Sequence, residues 1–235
     1  MLNYKNMKKI SVIVPVYNHA SIIVRNISQV ISVMNHCGYP YEILLINDGS
    51  TDKSDRILSR LHYPQIRCIS KENEGLGSVI KLGFSQATGQ ILIILDLDLS
   101  YGIQNIQKVI DFSDNWDCVV CSKYEHENSY PLHRKILSLL NYLFCKLFLN
   151  LSVRDMGSGI VMVHSRLVRD ESFICKGFGI HCELFVVLQK KKARILEIPI
   201  QYSHYPSSYR MLFHSIQTIL EVLSIVFMRV NQKTL

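Results

Sequence analysis

The stretch on which the fold depends reads ILIILDLDLS and occupies residues 91–100. Its first five residues are all apolar, which is typical of a strand buried on both faces in the middle of a mainly parallel sheet. Asp96 and Asp98 follow directly, and Ser100 is next in the same alternation. If the backbone stays extended, these three side chains share one face. They would then lie at the carboxyl end of a central strand, where open α/β sheets bind ligands.

Paired carboxylates at such a position favour a divalent cation. Hard oxygen ligands suit Mg²⁺ or Mn²⁺, which keep several waters and take their remaining ligands from substrate phosphates. We therefore predict that Asp96 and Asp98 are metal ligands. The alternative is an ordinary turn, because a lone Asp-x-Asp is common in proteins without a metal site.

Size and composition indicate one domain, or one domain with an appendage, because the chain has 235 residues of which 48% are apolar. The formal charge of +7 favours phosphate-rich partners such as a nucleotide, a nucleic acid or an anionic membrane surface. Seven cysteines without a regular framework indicate a reducing compartment. Cys118 and Cys121 lie in an apolar run, so we expect them to pack in the core. The polar first nine residues lead directly into a strand, which predicts no secretory signal.

Apolar periodicity predicts strands and helices in alternation, and hence an α/β protein with a mainly parallel sheet. The first strand, within residues 9–18, should stop at Pro15, and Ser50 or Thr51 should cap the second helix. The remaining strands are expected at residues 41–46, 66–70, 91–95, 117–122, 160–164 and 193–199, and the helices at 19–36, 52–61, 78–87, 103–112, 131–151, 182–189 and 212–230.

Several nucleotide-binding classes are excluded by missing motifs. No G-x-G-x-x-G follows the first strand, and no G-x-x-x-x-G-K-[ST] occurs anywhere in the chain. A nucleotidyltransferase would want a basic, glycine-bearing loop directly after the first strand, and that loop is missing too. Nucleic-acid binding would rest on charge alone, because no aromatic-basic recognition motif is present. We therefore expect no nucleic-acid partner.

Seven short motifs follow one another along the chain in a characteristic order and spacing. Together they resemble the inverting glycosyltransferases of family 2, which have the GT-A fold, and within them the dolichyl- and polyprenyl-phosphate sugar transferases. The likeness extends from about residue 10 to residue 212 and implies a GT-A domain over residues 8–205, followed by a C-terminal amphipathic helical tail over 206–235. The motifs are VPVYN at 14–18, NDGS at 47–50 with Asp52, NEGLG at 73–77, ATG at 87–89, DLDLS at 96–100, Asp155 with Ser158 and Gly159, and SSYR at 207–210.

The resemblance implies a nucleotide-sugar donor. Asp48 would accept an N–H of the base, although a turn or cap residue is the alternative for it, and the glycines at 75 and 77 could serve only a tight turn. Relatives usually carry two acids before Gly-Ser, whereas Asn47 stands first here, which leaves the preferred nucleotide open. The implied donor-binding residues are Pro15, Tyr17, Asn18, Asp48, Gly75, Gly77 and Asp96.

The resemblance also implies roles in the reaction. Asp96 and Asp98 would hold the Mg²⁺ or Mn²⁺ that bridges the donor phosphates, with Ser100 as a weak third ligand or an outer partner. Asp155 and Glu183 are the candidates for a catalytic base. Their alternatives are a cap on the turn for Asp155 and a helix-surface carboxylate for Glu183. A lipid-phosphate acceptor is already anionic and needs little or no base.

Basic side chains at motif positions should receive the acceptor phosphate. Relatives usually carry an arginine near position 204, which is histidine here, and this weakens the case for a polyprenyl phosphate specifically. The candidate acceptor residues are Lys123, Arg134, Arg154 and Arg210.

Two apolar helices predict contact with a membrane surface. Residues 136–151 carry a single charge, Lys146, and residues 212–230 carry one polar stripe that includes Glu221. That pattern is amphipathic and is not typical of a helix immersed in lipid. We expect a peripheral protein on the cytoplasmic, inner face of the membrane. The alternative is that both helices pack on the domain or on a partner subunit of a homo-oligomer.

The sequence thus predicts a metal-dependent enzyme that transfers a hexose, with inversion, from a nucleotide sugar to a polyprenyl-phosphate-type acceptor. One alternative acceptor is a glycan or lipid-linked oligosaccharide in surface polysaccharide synthesis. A second alternative is a catalytically weak paralogue that serves as a scaffold, against which the intact Asp96 and Asp98 pair argues.

Overall fold

The computed structural model describes residues 8–123, 132–202 and 219–227. Strands and helices alternate along most of this chain, as the apolar periodicity predicts. The strands are β1 (Ile10–Val16), β2 (Tyr41–Asp48), β3 (Ile66–Lys71), β4 (Ile91–Leu95), β5 (Cys118–Ser122), β6 (Ile160–His164) and β7 (Ile195–Pro199). The helices are α1 (Ile23–Cys37), α2 (Ser54–Leu58), α3 (Leu76–Gln86), α4 (Asn105–Asp111), α5 (Leu132–Leu149), α6 (Ile180–Lys190) and α7 (219–227).

The seven strands form one sheet in the order β3-β2-β1-β4-β6-β5-β7. β1 pairs in parallel with β2 and β4, β2 pairs in parallel with β3, and β5 pairs in parallel with β7. Only β6 runs antiparallel to its neighbours, β4 and β5. The predicted mainly parallel sheet, with β4 at its centre, is confirmed.

The sheet separates two apolar layers. α3, α5, α6 and α7 pack on one face, and α1, α2 and α4 pack on the other. In β4, Leu92 and Ile94 belong to the first layer, while Ile91, Ile93 and Leu95 belong to the second. Burying each such side chain contributes about 1.5–3 kcal/mol, so an apolar residue is favoured at every position of this strand.

The expectation that Pro15 stops the first strand is wrong. β1 continues through Pro15, which is in register with Ile46 of β2. On the other side, β4 pairs with β1 only as far as Ile13. The missing amide of Pro15 therefore costs no ladder hydrogen bond to β4.

The expected cap of the second helix is also wrong. α2 begins at Ser54, whose amide donates to Oδ1 of Asp52 at 2.8 Å. The Ser50 hydroxyl instead accepts the Asn18 amide at 3.0 Å and so fastens the end of β1.

Two further expectations concern β5 and the end of the chain. Cys118 and Cys121 are fully buried, as expected for core residues, and burial raises the pKa of both thiols. The segment 219–227 is helical, within the predicted helix 212–230. The expected domain boundary between residues 205 and 206 lies outside the described residues.

Candidate active site

The first feature of the site is a turn directly after β4. The Asp96 amide donates to the carbonyl of Gly159 at 2.9 Å, and Leu97 is buried in the core. Leu99 has a φ of 55°, and the Ser100 amide donates to Oδ1 of Asp98 at 2.9 Å. The expectation that residues 96–100 continue as an extended strand is therefore wrong. The chain turns after β4 with Leu97 buried in the core, and this turn carries both carboxylates.

The carboxylate of Asp96 carries the strongest electrostatic signal of the site. Burial raises its pKa, the negative charges of Asp98 and Asp155 raise it further, and the ammonium of Lys123 lowers it, so that it lies at about 7. Nearby like charges favour binding of a cation that offsets them. Such a perturbed carboxylate at a strand end is typical of a functional site.

Glycine at position 159 leaves room for that carboxylate. A Cβ added there would lie 2.7 Å from Oδ2 of Asp96 and 2.7 Å from Cδ2 of Tyr101. Real Cβ atoms do not approach other atoms so closely, so any other residue would displace the Asp96 side chain or the Tyr101 ring.

Beside the turn lies a buried cluster centred on Asp155, which is 1% exposed. Tyr101 donates its hydroxyl to Oδ2 of Asp155 at 2.9 Å, and the Lys123 amide donates to the same oxygen at 3.1 Å. Lys123 Nζ lies 3.1 Å from Oδ1 of Asp155 and 2.8 Å from the Tyr101 hydroxyl. The ring of Tyr202 packs edge-on against Tyr101, with 5.2 Å between the ring centroids. These contacts favour a role for Asp155 in holding Lys123 and Tyr101 in place.

The turn that carries Asp155 is itself held by β7. The Glu197 carboxylate accepts the Asp155 amide through Oε1 at 2.7 Å, and both carboxylate oxygens accept the Arg154 amide. The side chain of Arg154 is exposed. Lys123 and Arg154 are thus the described members of the predicted acceptor group, while Arg210 and the side chain of Arg134 lie outside the description.

A second group of contacts shapes the donor loop, which we define as residues 72–77. Asp48 lies at the end of β2. Its Oδ1 accepts hydrogen bonds from Lys71 Nζ at 3.0 Å and from the Glu74 amide at 3.1 Å. Its Oδ2 accepts the Gly75 amide at 2.9 Å. Gly75 has a φ of 100°, which favours glycine. Asp48 therefore organises this loop, and its predicted contact with a nucleobase stays a prediction.

The donor loop packs against a second loop, residues 174–179, which we call the support loop. The carbonyl of Lys176 accepts the Gly77 amide at 2.7 Å and the Ser78 amide at 3.3 Å. Glu183 accepts the amides of Ile174 at 2.8 Å and Cys175 at 2.9 Å. Glu183 is only 6% exposed, so the alternative of a helix-surface carboxylate is wrong. Its predicted catalytic role stays a prediction.

The end of β1 lies at the same edge of the sheet as the turn that follows β2. Asn18 has a φ of 55°, and its Oδ1 accepts the amides of Thr51 at 2.8 Å and Asp52 at 3.3 Å. Pro15 and Tyr17 are half-buried at this edge. The predicted donor-binding residues of β1 are therefore placed with the turn that follows β2.

Two histidines of the site were missed by the sequence reasoning. Burial lowers the pKa of His19, while the charges of Asp98 and Asp52 raise it, so the His19 ring is near enough to Asp98 to be affected by its charge. Burial lowers the pKa of His181 to about 4, and neither ring nitrogen has a hydrogen-bond partner within the described residues. His19 directly follows the VPVYN motif, which was a usable signal, whereas no sequence pattern connects His181 with Asp155.

Among the described residues, no group of three or more His, Cys, Asp or Glu side chains could hold a metal ion. A cation at Asp96 and Asp98 would therefore take its remaining ligands from water and from donor phosphates, as Mg²⁺ commonly does. The chemistry of the pair fits such an ion, because both side chains are carboxylates, and burial and the charge of Asp98 raise the pKa of Asp96.

Residues 11–175 match the family described as Glycosyl transferase family 2. The chain belongs to this family. The ordered motifs predicted this family, and the match includes the turn at residues 96–100 and the donor loop.

Curated relatives of this family 2 chain are named as lipid-phosphate sugar transferases. It is 31% identical over 147 residues to the undecaprenyl-phosphate 4-deoxy-4-formamido-L-arabinose transferase of Klebsiella pneumoniae (strain 342), covering 61% of this chain and 45% of the relative. It is 25% identical over 225 residues to the protein of the same name from Edwardsiella ictaluri, covering 90% and 66%. It is 27% identical over 204 residues to the dolichol-phosphate mannosyltransferase of Pyrococcus furiosus, covering 83% and 56%. The chain thus spans about half to two thirds of these relatives.

Solved structures establish the GT-A fold. Glucosyl-3-phosphoglycerate synthase from Mycobacterium tuberculosis in complex with UDP superposes with a TM-score of 0.73 at 18% identity, over 95% of this chain and 82% of that one. Mannosyl-3-phosphoglycerate synthase from Rubrobacter xylanophilus gives a TM-score of 0.72 at 14% identity, over 97% and 75%. Other crystals of the mycobacterial enzyme contain UDP with Mn²⁺ or Mg²⁺.

Proposed function

We propose that this family 2 protein is a glycosyltransferase that moves a hexose, with inversion, from a nucleotide sugar to a polyprenyl-phosphate-type acceptor. The observation that carries the proposal is the turn after β4 in a family 2 chain, where burial and the charge of Asp98 raise the pKa of Asp96. The names of the curated relatives support a lipid-phosphate acceptor.

The metal proposal rests on the carboxylate pair. Asp96 and Asp98 would hold Mg²⁺ or Mn²⁺, with Ser100 close by in the same turn. When bound, the ion would neutralise charge that develops on the departing nucleoside diphosphate. The chain's own part is to keep both carboxylates oriented, which Gly159 does for Asp96 through its carbonyl and its lack of a side chain.

The donor would lie along the carboxyl edge of β1 and β2. Asp48 gives the donor loop a defined shape, and Asn18 ties the end of β1 to residues 51 and 52. Because Asp48 and Asn18 already make these hydrogen bonds without a ligand, donor binding would require little further ordering of the donor loop and of the end of β1. We assign nucleotide binding to this edge.

The acceptor phosphate would lie near Lys123. Its ammonium is held between Asp155 and the Tyr101 hydroxyl, and Asp155 also influences the pKa of Asp96, so the cluster and the metal pair are neighbours. An anionic phosphate oxygen can attack without a strong base, which agrees with an Asp155 carboxylate already occupied by three donors. Arg154, Arg134 and Arg210 remain candidates for further phosphate contacts.

The decisive experiment combines donor binding with transfer. Thermal shifts would be measured with UDP-, GDP- and other nucleotide sugars, with and without Mn²⁺, because a ligand of the folded state raises its stability. The stabilising donor, labelled in its sugar, would then be offered polyprenyl phosphate or a lipid-linked oligosaccharide. We expect label on the polyprenyl phosphate. Transfer only to the oligosaccharide would establish the alternative acceptor. If the protein neither bound a nucleotide sugar nor transferred its sugar, the scaffold hypothesis would be favoured.

A further part of the proposal is a peripheral position on the inner face of the membrane. No helix within the described residues is long and apolar enough to cross a bilayer. α5 and α7 pack on the same face of the sheet, and each exposes several large apolar side chains to solvent. The net charge of +7 favours anionic lipid. The exposed residues are Leu139, Leu140, Leu143, Leu147 and Phe148 of α5, and Ile219, Leu220, Leu223 and Phe227 of α7.

Vesicle flotation tests this surface. Leu147 is 77% and Phe227 is 68% exposed, so replacing both with serine should reduce the fraction bound to anionic vesicles without unfolding the protein. The matched control is Val24→Ser, which removes an exposed apolar side chain from α1 on the opposite face of the sheet. Equal flotation of both variants and the wild type would contradict the proposal, and a concentration-dependent dimer lost in the double variant would favour the partner-subunit alternative.

A further inference from the structure

The buried side of α7 carries one carboxylate, that of Glu221. Its Oε1 accepts the amides of Lys176 at 3.1 Å and Gly177 at 2.6 Å, and its Oε2 accepts the amide of Gly179 at 2.8 Å. Val222 and Ile225 on the same helix are 0% and 3% exposed and anchor α7 in the core. A residue more than forty positions away in sequence thus binds three of the backbone amides of the support loop.

These contacts are energetically favourable for two reasons. The three amides lie in the turn that opens α6, which starts at Ile180, and a negative charge is stabilised at a helix N-terminus. Hydrogen bonds to an ionised carboxylate are also stronger than those between neutral groups. Glu221 and Glu183 together accept five amides of the six-residue support loop.

The support loop in turn holds the donor loop. The carbonyl of Lys176, whose own amide binds Glu221, accepts the amides of Gly77 and Ser78. Lys176 Nζ also lies 3.5 Å from Oε1 of Glu74. A Cβ added at Gly75 would lie 2.6 Å from the Lys176 carbonyl oxygen, so the two loops are in close contact. Displacement of Lys176 therefore displaces the donor loop.

We propose that Glu221 is a positioning residue for nucleotide-sugar binding, acting through the support loop on the donor loop. The inference rests on the proposed function, in which the donor loop contributes to the nucleotide site. Glu221 touches neither the donor nor the metal pair in this scheme. It fixes the Lys176 carbonyl from one side while Asp48 holds the donor loop from the other.

Three variants of the full chain test the proposal. Glu221→Ala removes all three amide contacts, whereas Glu221→Gln keeps one oxygen as an acceptor. Glu171→Ala is the matched control, because it removes a glutamate whose described contact is a surface ion pair with Lys191 at 2.6 Å. Binding of UDP and GDP in the presence of Mn²⁺ would be measured by calorimetry, together with amide hydrogen exchange of residues 72–79 and 174–179.

We expect Glu221→Ala to weaken nucleotide affinity about tenfold, roughly the factor of one hydrogen bond to a charged group, because the three lost contacts act on the donor loop only through the support loop. Glu221→Gln should have a smaller effect, and the control none. Binding of Mn²⁺ alone and kcat at saturating donor should stay near wild type, so that the loss falls on KM. Exchange of the Gly77 and Ser78 amides should accelerate together with that of the support loop.

A lower melting temperature with unchanged nucleotide affinity and unchanged exchange at residues 72–79 would overturn the proposal, because Glu221 would then only stabilise the fold. If the wild type bound no nucleotide at all, the proposed function would fail separately. The exchange of Gly77 and Ser78 would still decide whether Glu221 controls the donor loop.

Discussion

Glu42 and Asp96 are carboxylates at opposite ends of the same sheet, and their surroundings differ sharply. Glu42 lies near the start of β2, and Asp96 lies just beyond the end of β4, which belongs to the same parallel group of strands. Burial disfavours the charged form of both. What distinguishes them is the set of groups that each carboxylate finds around it.

At the Glu42 end, donors surround the carboxylate. Oε1 accepts the Ser11 hydroxyl at 2.7 Å, and the amide and hydroxyl of Thr88 at 2.8 and 2.7 Å. Arg67 and Lys9 lie within 3.4 and 3.8 Å of its oxygens. Burial alone would raise the pKa of Glu42, but the bonds from Ser11 and Thr88 and the charge of Lys9 lower it to about 2. This end stabilises the fold.

At the Asp96 end, the charged neighbours that raise the pKa outnumber the one that lowers it. Burial and the charges of Asp98 and Asp155 raise the pKa of Asp96 to about 7, although Lys123 lowers it. The fold alone gains little from such an arrangement. The difference between the two ends supports the proposal that ligands bind at the carboxyl edge, whereas the groups at the opposite edge stabilise the fold.

Asp98→Asn should give the largest effect on activity. It removes one charge of the pair while preserving shape, so transfer should fall by about a thousandfold, as expected when a group that stabilises transition-state charge is lost. The melting temperature of the metal-free protein should not fall, because a repulsive neighbour of Asp96 has been removed. The exposed Asp111→Asn is the control. Retained full activity in Asp98→Asn would refute the metal assignment and the comparison with it.

Glu42→Gln should give the opposite result, with stability lost and activity per folded molecule kept. Since the pKa of Glu42 is lowered from 4.5 to about 2, its charge contributes stability above pH 4.5 that is lost as the pH falls towards 2. That contribution is about 3 kcal/mol at neutral pH. Urea unfolding at pH 7 should show this deficit, and the gap between variant and wild type should narrow below pH 4.5. A constant gap across that range would exclude the assigned cause.

Gly159→Ala should give the smallest effect. It tests whether the Asp96 carboxylate must keep its position. The added Cβ would approach Oδ2 of Asp96 and the Tyr101 ring to 2.7 Å, so the carboxylate must shift. We expect Mn²⁺-dependent nucleotide affinity to fall about tenfold, in line with a loss of one strong interaction. Gly157→Ala is the matched control, because a Cβ there meets nothing within 4 Å. Equal affinities in the two variants would show that the position of Asp96 is not critical.

The sequence alone determined the fold class, the succession of strands and helices along the chain, and the family. Uninterrupted apolar runs such as residues 91–95 require burial on both faces, and burial on both faces is found in the centre of an α/β sheet. The motifs from residues 14–18 to residues 96–100 resemble those of the family 2 glycosyltransferases, and the family match confirms that resemblance. In the fold, the motifs at 14–18, 47–50, 73–77 and 96–100 lie at or just after the ends of β1, β2, β3 and β4.

Only the tertiary structure decided what individual carboxylates touch. Asp48 and Glu183 looked like ligand-binding or surface residues in sequence, yet in the fold they bind backbone amides of the donor and support loops. Glu221 joins them from a helix that lies more than forty residues beyond the amides it binds. Local periodicity records which face of an element is buried. It contains no information on which distant amide meets a given oxygen, because that depends on the packing of α6, α7 and the loops against one another.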